Sequence, residues 1–134
     1  MSEFTVIQSV RQAFGNEPGF FNNLEPQAPF VGASKTFAFQ CPNVNEGEAA
    51  VLMFQSRGVT HARNVLSING QDIAGGIPVS PSNDTWNGNV MLIAPGVLRG
   101  TNRLLVRARN TAGGDNGNLD DFILDNVVVM YKTH

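Results

Sequence analysis

The chain has 134 residues, 42% of them hydrophobic and 15% charged, with a formal net charge of −2. That length suits one domain with a core large enough to need no disulfide or metal staple. The absence of a basic excess argues against a nucleic-acid partner, and the scattered Lys and Arg form no patch for a membrane surface.

The first residues, MSEFTVIQSV, lack a positive region followed by a long apolar run, so no secretory leader is expected. No stretch reaches the ~18 apolar residues of a membrane span. The expected location is the cytoplasm, or outside it by a route without a cleavable signal peptide. The segment VIQSVRQAF spaces Val6, Val10 and Phe14 four apart, as a helix would, but Phe4, Val6 and Val10 also fit a strand, which is the expectation. NEPGFFNNLEPQAPFVG, residues 16–32, holds three prolines and three aromatics. It reads as a long ordered loop in which Phe20, Phe21 and Phe30 need burial, either capping an open end of the fold or carrying function.

Short apolar and β-branched runs then follow between Gly and Pro breaks, the pattern of an all-β sandwich or barrel. KTFAFQC alternates, placing Phe37, Phe39 and Cys41 on one face. Cys41 is the only cysteine, which rules out an internal disulfide and a multi-cysteine zinc site. EAAVLMFQSRGV, residues 48–59, is a long strand. VLSIN ends in the tight-turn pair Asn69-Gly70. NVMLIA ends at Pro95-Gly96. RLLVRARN turns Leu104, Val106 and Ala108 inward and Arg103, Arg107 and Arg109 outward. FILDNVVVMY is apolar on both faces, as a central strand is, or as a strand covered by a partner subunit would be. No repeat, low-complexity tract or linker interrupts residues 1–134.

The pieces Ile68-Asn69-Gly70, Gly75-Gly76, Pro95-Gly96-Val97-Leu98 and Gly100-Thr101-Asn102-Arg103-Leu104, followed by Arg107, Arg109 and Asn110, form a recognisable pattern. It resembles the galactose-binding-like β-sandwich, a jelly roll, and in particular the sugar-binding domain at the front of many β-glycosidases. The closing DDFILDNVVVMYK is similar to the last strand of several carbohydrate-binding modules of this fold. The resemblance implies an all-β jelly-roll sandwich and a role in sugar binding or in supporting neighbours. It also implies that a late loop can hold a structural calcium. The matching residues themselves are turn formers: Asn69-Gly70 reverses a strand and Asn102 can bond its own turn backbone. They speak for a fold, and fold alone does not assign function.

Candidate chemistry is sparse. Asp120 and Asp121 are adjacent, so on a strand they face opposite sides and cannot share a proton. His61 and His134 are the only histidines, and no nucleophile elbow, phosphate loop or dinucleotide fingerprint is present. No enzyme is expected. GGDNGNLDDF is rich in the oxygen ligands calcium takes, with Asp115 and Asp121 as candidate metal ligands. Its spacing is not that of an EF-hand, and a solvated turn explains the same composition. Trp86, in SNDTWNGN, is the only tryptophan. It is either a stacking plate for a sugar, with Asn83, Asp84, Asn87 and Asn89 beside it, or an indole that closes the sandwich. His61 and Arg63 are further polar candidates. Arg107 and Arg109 could meet an anionic sugar but more simply form a solvated face.

The expectation is a single sandwich of roughly eight to ten strands, acting as a non-catalytic carbohydrate-binding module or small lectin. Trp86 is the platform, Asn87, Asn118 and Asp120 are hydroxyl partners, and a homo-oligomer would supply avidity. The alternative is a structural assembly module that forms a homo-oligomer and binds no sugar.

Overall fold

A computed structural model describes residues 1–21, 28–82 and 85–134 of the chain. Among them are ten strands and no helix, and hence no helix long and apolar enough to cross a membrane. The strands are β1 (Ser2–Gln8), β2 (Gln12–Phe14), β3 (Phe30–Gly32), β4 (Ser34–Gln40), β5 (Ala50–Arg57), β6 (Val65–Ile68), β7 (Gln71–Asp72), β8 (Asn87–Ile93), β9 (Thr101–Arg107) and β10 (Phe122–Lys132).

They form two sheets packed as a β-sandwich. One sheet runs β3-β2-β10-β5-β8, with β1 also paired to β10; the other runs β4-β9-β6-β7. All pairings are antiparallel except β2 with β3. The connections from β4 onward, apart from the β6–β7 hairpin, carry the chain from one sheet to the other. The core mixes both inner faces: Leu52, Phe54, Ile93, Val127 and Val129 from the first sheet meet Phe37, Phe39, Leu66, Ile68, Leu104 and Val106 from the second. Period-two burial drives this arrangement, since each strand turns alternate side chains inward. Cys41 lies wholly buried beside them, and burial pushes its thiol pKa up to about 11, so it behaves as a small apolar residue.

Several expectations are met and some are corrected. Phe37, Phe39 and Cys41 share the inner face, as do Leu104, Val106 and Ala108. The VIQSVRQAF strand is broken. β1 pairs with the end of β10 through Val127 to Lys132, and β2 with its start through Phe122 to Leu124. The register slips between Val6 and Gln8. Gln8 turns inward there, and its Nε2 donates to the Leu124 carbonyl at 2.8 Å. The aromatics of the following loop are not all buried: Phe20 is 46% and Phe30 37% exposed. Phe30 sits on β3, the outermost strand of its sheet. Residues 22–27 of that loop lie outside the described residues.

The Asn69-Gly70 pair makes the β6–β7 turn, with both residues in the left-handed region (φ 53° and 80°), which Asn and Gly tolerate. Its side chain does more. Asn69 Nδ2 donates to Val97 O at 2.9 Å and to Asn102 Oδ1 at 2.8 Å, and Asn69 Oδ1 accepts from Arg103 N at 2.9 Å. Asn102, 1% exposed, also accepts from Arg99 N and donates to Arg99 O. Two asparagines thus lock the hairpin to the loop before β9.

The two outer faces differ. On the first sheet, cross-strand pairing aligns Phe4, Met130, Val51 and Leu92 in one row and Val6, Val128, Met53 and Val90 in the next. On the second, Thr36, Ala38 and Gln40 lie opposite Leu105, Arg103 and Thr101, a mixed polar face.

Asn102→Ala is expected to destabilise the fold by roughly 1–3 kcal/mol, because it strands the Arg99 amide and carbonyl and the Asn69 amide in a part-buried turn. Urea unfolding followed by Trp86 fluorescence measures it, with a lowered midpoint and an unchanged slope expected.

Candidate functional site

Three connections meet at one end of the sandwich: residues 15–21 after β2, residues 58–64 after β5, and residues 108–121 between β9 and β10. They enclose a cavity of about 160 Å³ lined by Glu17, Phe20, Thr60, His61, Thr111, Asn118, Leu119, Asp120 and Asp121.

The two aspartates hold these connections together, and they do point apart. Asp120 Oδ2 accepts from Thr60 N at 3.0 Å and from Asn64 Nδ2 at 2.8 Å, while Oδ1 accepts from Thr60 Oγ1 at 2.8 Å. Asn64 Oδ1 in turn accepts from Arg109 N at 3.0 Å. Asp121 faces the other connection, where Oδ1 accepts from the backbone N–H groups of Asn16 and Glu17, both at 3.1 Å. Gly15 makes that approach possible: at φ 129° it lies so close that a Cβ would sit 2.0 Å from Asp121 Oδ1. Burial raises the Asp121 pKa above its ordinary 3.8, the Glu17 and Asp120 charges add to the rise, and the two backbone hydrogen bonds oppose it.

His61 is bonded on both ring nitrogens. Nδ1 accepts from Arg63 N at 3.1 Å, and Nε2 lies 3.0 Å from the Arg109 carbonyl. With Nδ1 accepting, the network assigns a proton to Nε2, which donates to Arg109 O. Asp120 Oδ2 is 4.0 Å from the same nitrogen.

The structure divides the expected site residues. Asn118, Asp120 and His61 are brought together at the cavity. Asp120 is not a free hydroxyl partner, because three protein donors occupy its buried carboxylate. Trp86 and Asn87 do not line the cavity. The half-buried Trp86 ring has the Arg11 guanidinium 5.3 Å from its centroid, so one face is covered by a protein cation. Asn87 extends over a buried polar ladder, its Nδ2 donating to Ser56 Oγ and Asn89 Oδ1. Its neighbours Asn83 and Asp84 lie outside the described residues. Arg63 is exposed and lines a separate groove with Asn64, Asp72 and Gly75.

The carboxylates proposed for calcium do not converge. Asp115 lies 3.3 Å from Arg109 Nε, an ion pair by distance although too poorly aligned for a hydrogen bond. Asp121 is held by Asn16 and Glu17. The next carboxylate along, Asp125, lies 3.7 Å from Arg11 Nε. Among the described residues no group of three or more His, Cys, Asp or Glu side chains is placed to share an ion. Arg109 is folded onto its own loop, donating from Nη1 to Gly113 O, and so does not join Arg103 and Arg107 on the sheet face.

Phe20 and Glu17 are among the cavity residues that sequence reasoning did not assign to a site, with Thr60, Thr111 and Leu119. The signal was there in the aromatic-rich loop after β2, but its partner segments are about 40 and 100 residues away. A larger cleft of about 780 Å³ opens at the other end of the sandwich, lined by Met1, Glu3, Gln40, Asn43, Tyr131 and His134 among others. Part of its wall is the chain's own two ends, and none of the expected site residues reaches it. No protein-family model matches this chain, and no curated protein matches it.

Asp120→Ala is expected to cost about 3–5 kcal/mol, since it leaves the Thr60 amide and hydroxyl and the Asn64 amide without their acceptor in a buried site. Calorimetry reads this as a lowered Tm. Burial makes the charged form of Asp121 unfavourable in the fold. Its folded pKa is raised, so the stability it contributes is fully present below pH 3.8 and is lost as pH rises through the folded value. Asp121→Asn keeps an accepting oxygen and removes that loss. Its stability relative to the parent should therefore rise between about pH 3 and neutrality, measured by urea midpoints across that range.

Proposed function

We propose that the protein is a non-catalytic carbohydrate-binding module of the jelly-roll type, whose site is the cavity between Phe20, His61 and Asn118. The strand orders support the fold subtype: with β1 and β2 counted as one broken strand, β2-β10-β5-β8 faces β4-β9-β6-β7, the eight-strand arrangement of a jelly roll.

The observation that carries the functional reading is the exposed ring of Phe20 beside polar groups in one cavity. A sugar presents an apolar C–H face and a rim of hydroxyls, which an aromatic ring and planar polar side chains match. At about 160 Å³ the cavity holds one sugar ring and little more. That is well below the ~300–1,000 Å³ of drug-sized sites, so single-site affinity is weak. The carboxylates of Glu17, Asp120 and Asp121 beside it oppose an anionic sugar and favour a neutral or amino one. A second reading, a structural assembly module that binds no sugar, is supported by the apolar outer face of the first sheet.

A broad glycan array followed by titration calorimetry tests the site. Phe20→Ala and Asn118→Ala, both at exposed positions, are expected to weaken binding about tenfold or more without lowering Tm. Trp86→Ala should leave affinity unchanged. Silence across the array, or binding lost with Trp86 and not with Phe20, would remove this reading in favour of the assembly module or a different site.

A further inference from the structure

The outer face of the first sheet carries more apolar surface than a solvated sheet needs. Phe4 pairs with Met130, Met130 with Val51 and Val51 with Leu92. One step along, Val6, Val128, Met53 and Val90 repeat the row. Four adjacent strands thus present eight apolar side chains in register, with no charged residue among them. Val90 is 70%, Leu92 66% and Phe4 63% exposed. The patch has polar ends. At one, Asn126 Nδ2 donates to Gln55 Oε1 at 2.8 Å; at the other, Lys132 Nζ donates to Ser2 Oγ at 3.0 Å. The outer face of the second sheet shows the ordinary solution, with Thr36, Gln40, Thr101 and Arg103 in the corresponding positions.

An apolar centre inside a polar rim is the anatomy of a protein–protein interface. We infer that this face is the interface of a homodimer, in which two copies pack their β1-β10-β5-β8 sheets face to face.

A second copy fits better than an unrelated partner on two grounds. The first is area. Weighted by their exposure, the eight residues offer on the order of 600 Å² per protomer, the top of the ~300–600 Å² that a monomer's largest apolar patch reaches, where such patches are often functional. Two such faces together bury roughly 1,200 Å², the lower bound of stable interfaces at ~1,200–2,000 Å². The second is chemistry. With no charge within the rows, there is nothing for a complementary partner to pair with. An isologous two-fold contact matches apolar rows to apolar rows and satisfies both copies at once. Face-to-face sheets pack ~10 Å apart, with side chains of the two faces interdigitating. The end cavity lies outside this face, so dimerisation leaves it open and gives two sites per particle; the dimer stands whether or not that cavity binds a sugar.

Sedimentation velocity on the full chain decides it. The parent is expected to sediment at twice the 14.4 kDa chain mass at about 50 µM, with dissociation in the micromolar range. Val90→Glu with Leu92→Glu places two charges in the contact and should weaken association at least about 100-fold, giving a monomer with native circular dichroism. Thr36→Glu with Ala38→Glu, on the opposite face, should remain dimeric. If the double change on β8 prevents folding, the single Met130→Lys change on β10 is read in its place. The inference falls if the parent is a monomer at about 100 µM. It falls equally if the folded β8 variant stays dimeric, which would place the contact elsewhere. A monomeric parent that co-sediments with phosphatidylcholine vesicles would assign the face to a lipid surface and overturn the dimer.

Discussion

Strand β10 is hydrogen-bonded along both edges, and the other features depend on that pairing. On one side it takes β1 and β2 in sequence, and on the other β5. A strand in that position cannot choose its environment, since its backbone groups are committed and its inner side chains are covered by the opposing sheet. Leu124, Val127 and Val129 are accordingly almost free of solvent. The break between β1 and β2 follows from the same pairing. A bulge at Asp125 to Val128 alters β10's register against β5, and β1 slips at Gln8 on its other edge.

The start of β10 also determines the end of the molecule. Asp120 and Asp121 immediately precede it, and each reaches into a different neighbouring connection. The two adjacent aspartates of GGDNGNLDDF are therefore divided between two structural tasks. Asp120 satisfies a backbone amide, a hydroxyl and a side-chain amide that would otherwise be buried without partners. Asp121 accepts two backbone amides, at the cost of some of its own solvation. The cavity beside them exists because these ties hold three loops at a fixed separation, which is how rigid scaffolds present loop residues to a ligand.

The proposed sugar site and the proposed dimer contact use different surfaces. One lies at an end of the sandwich, where loops supply an aromatic ring and polar groups. The other lies on a sheet face, where regular pairing supplies flat, in-register apolar rows. Weak single sites gain from being presented in pairs, so the two proposals are mutually compatible although neither requires the other.

Much of the fold was legible in the residues themselves. Period-two alternation in KTFAFQC and RLLVRARN named the inward side chains correctly, and Asn69-Gly70 marked a turn, because strand faces and turn conformations are set by near neighbours. The two-faced apolarity of FILDNVVVMY announced a central strand. What local sequence could not say was how far its apolar outer side extends. Only the pairing of β1, β5 and β8 beside it shows that Phe4, Val51 and Leu92 extend the Met130 row into a patch. The site was legible only in part. Asn118, Asp120 and His61 were named and do meet, but Trp86 lies under Arg11, and Phe20 takes the place at the cavity that the indole was expected to hold. The order of residues alone, short apolar runs between Gly and Pro breaks, determined that this chain is an all-β protein with a polar loop before its last strand. Tertiary structure decided which oxygens in that loop are used up by the protein, because a carboxylate's partners come from residues some 60 and 105 positions away in sequence.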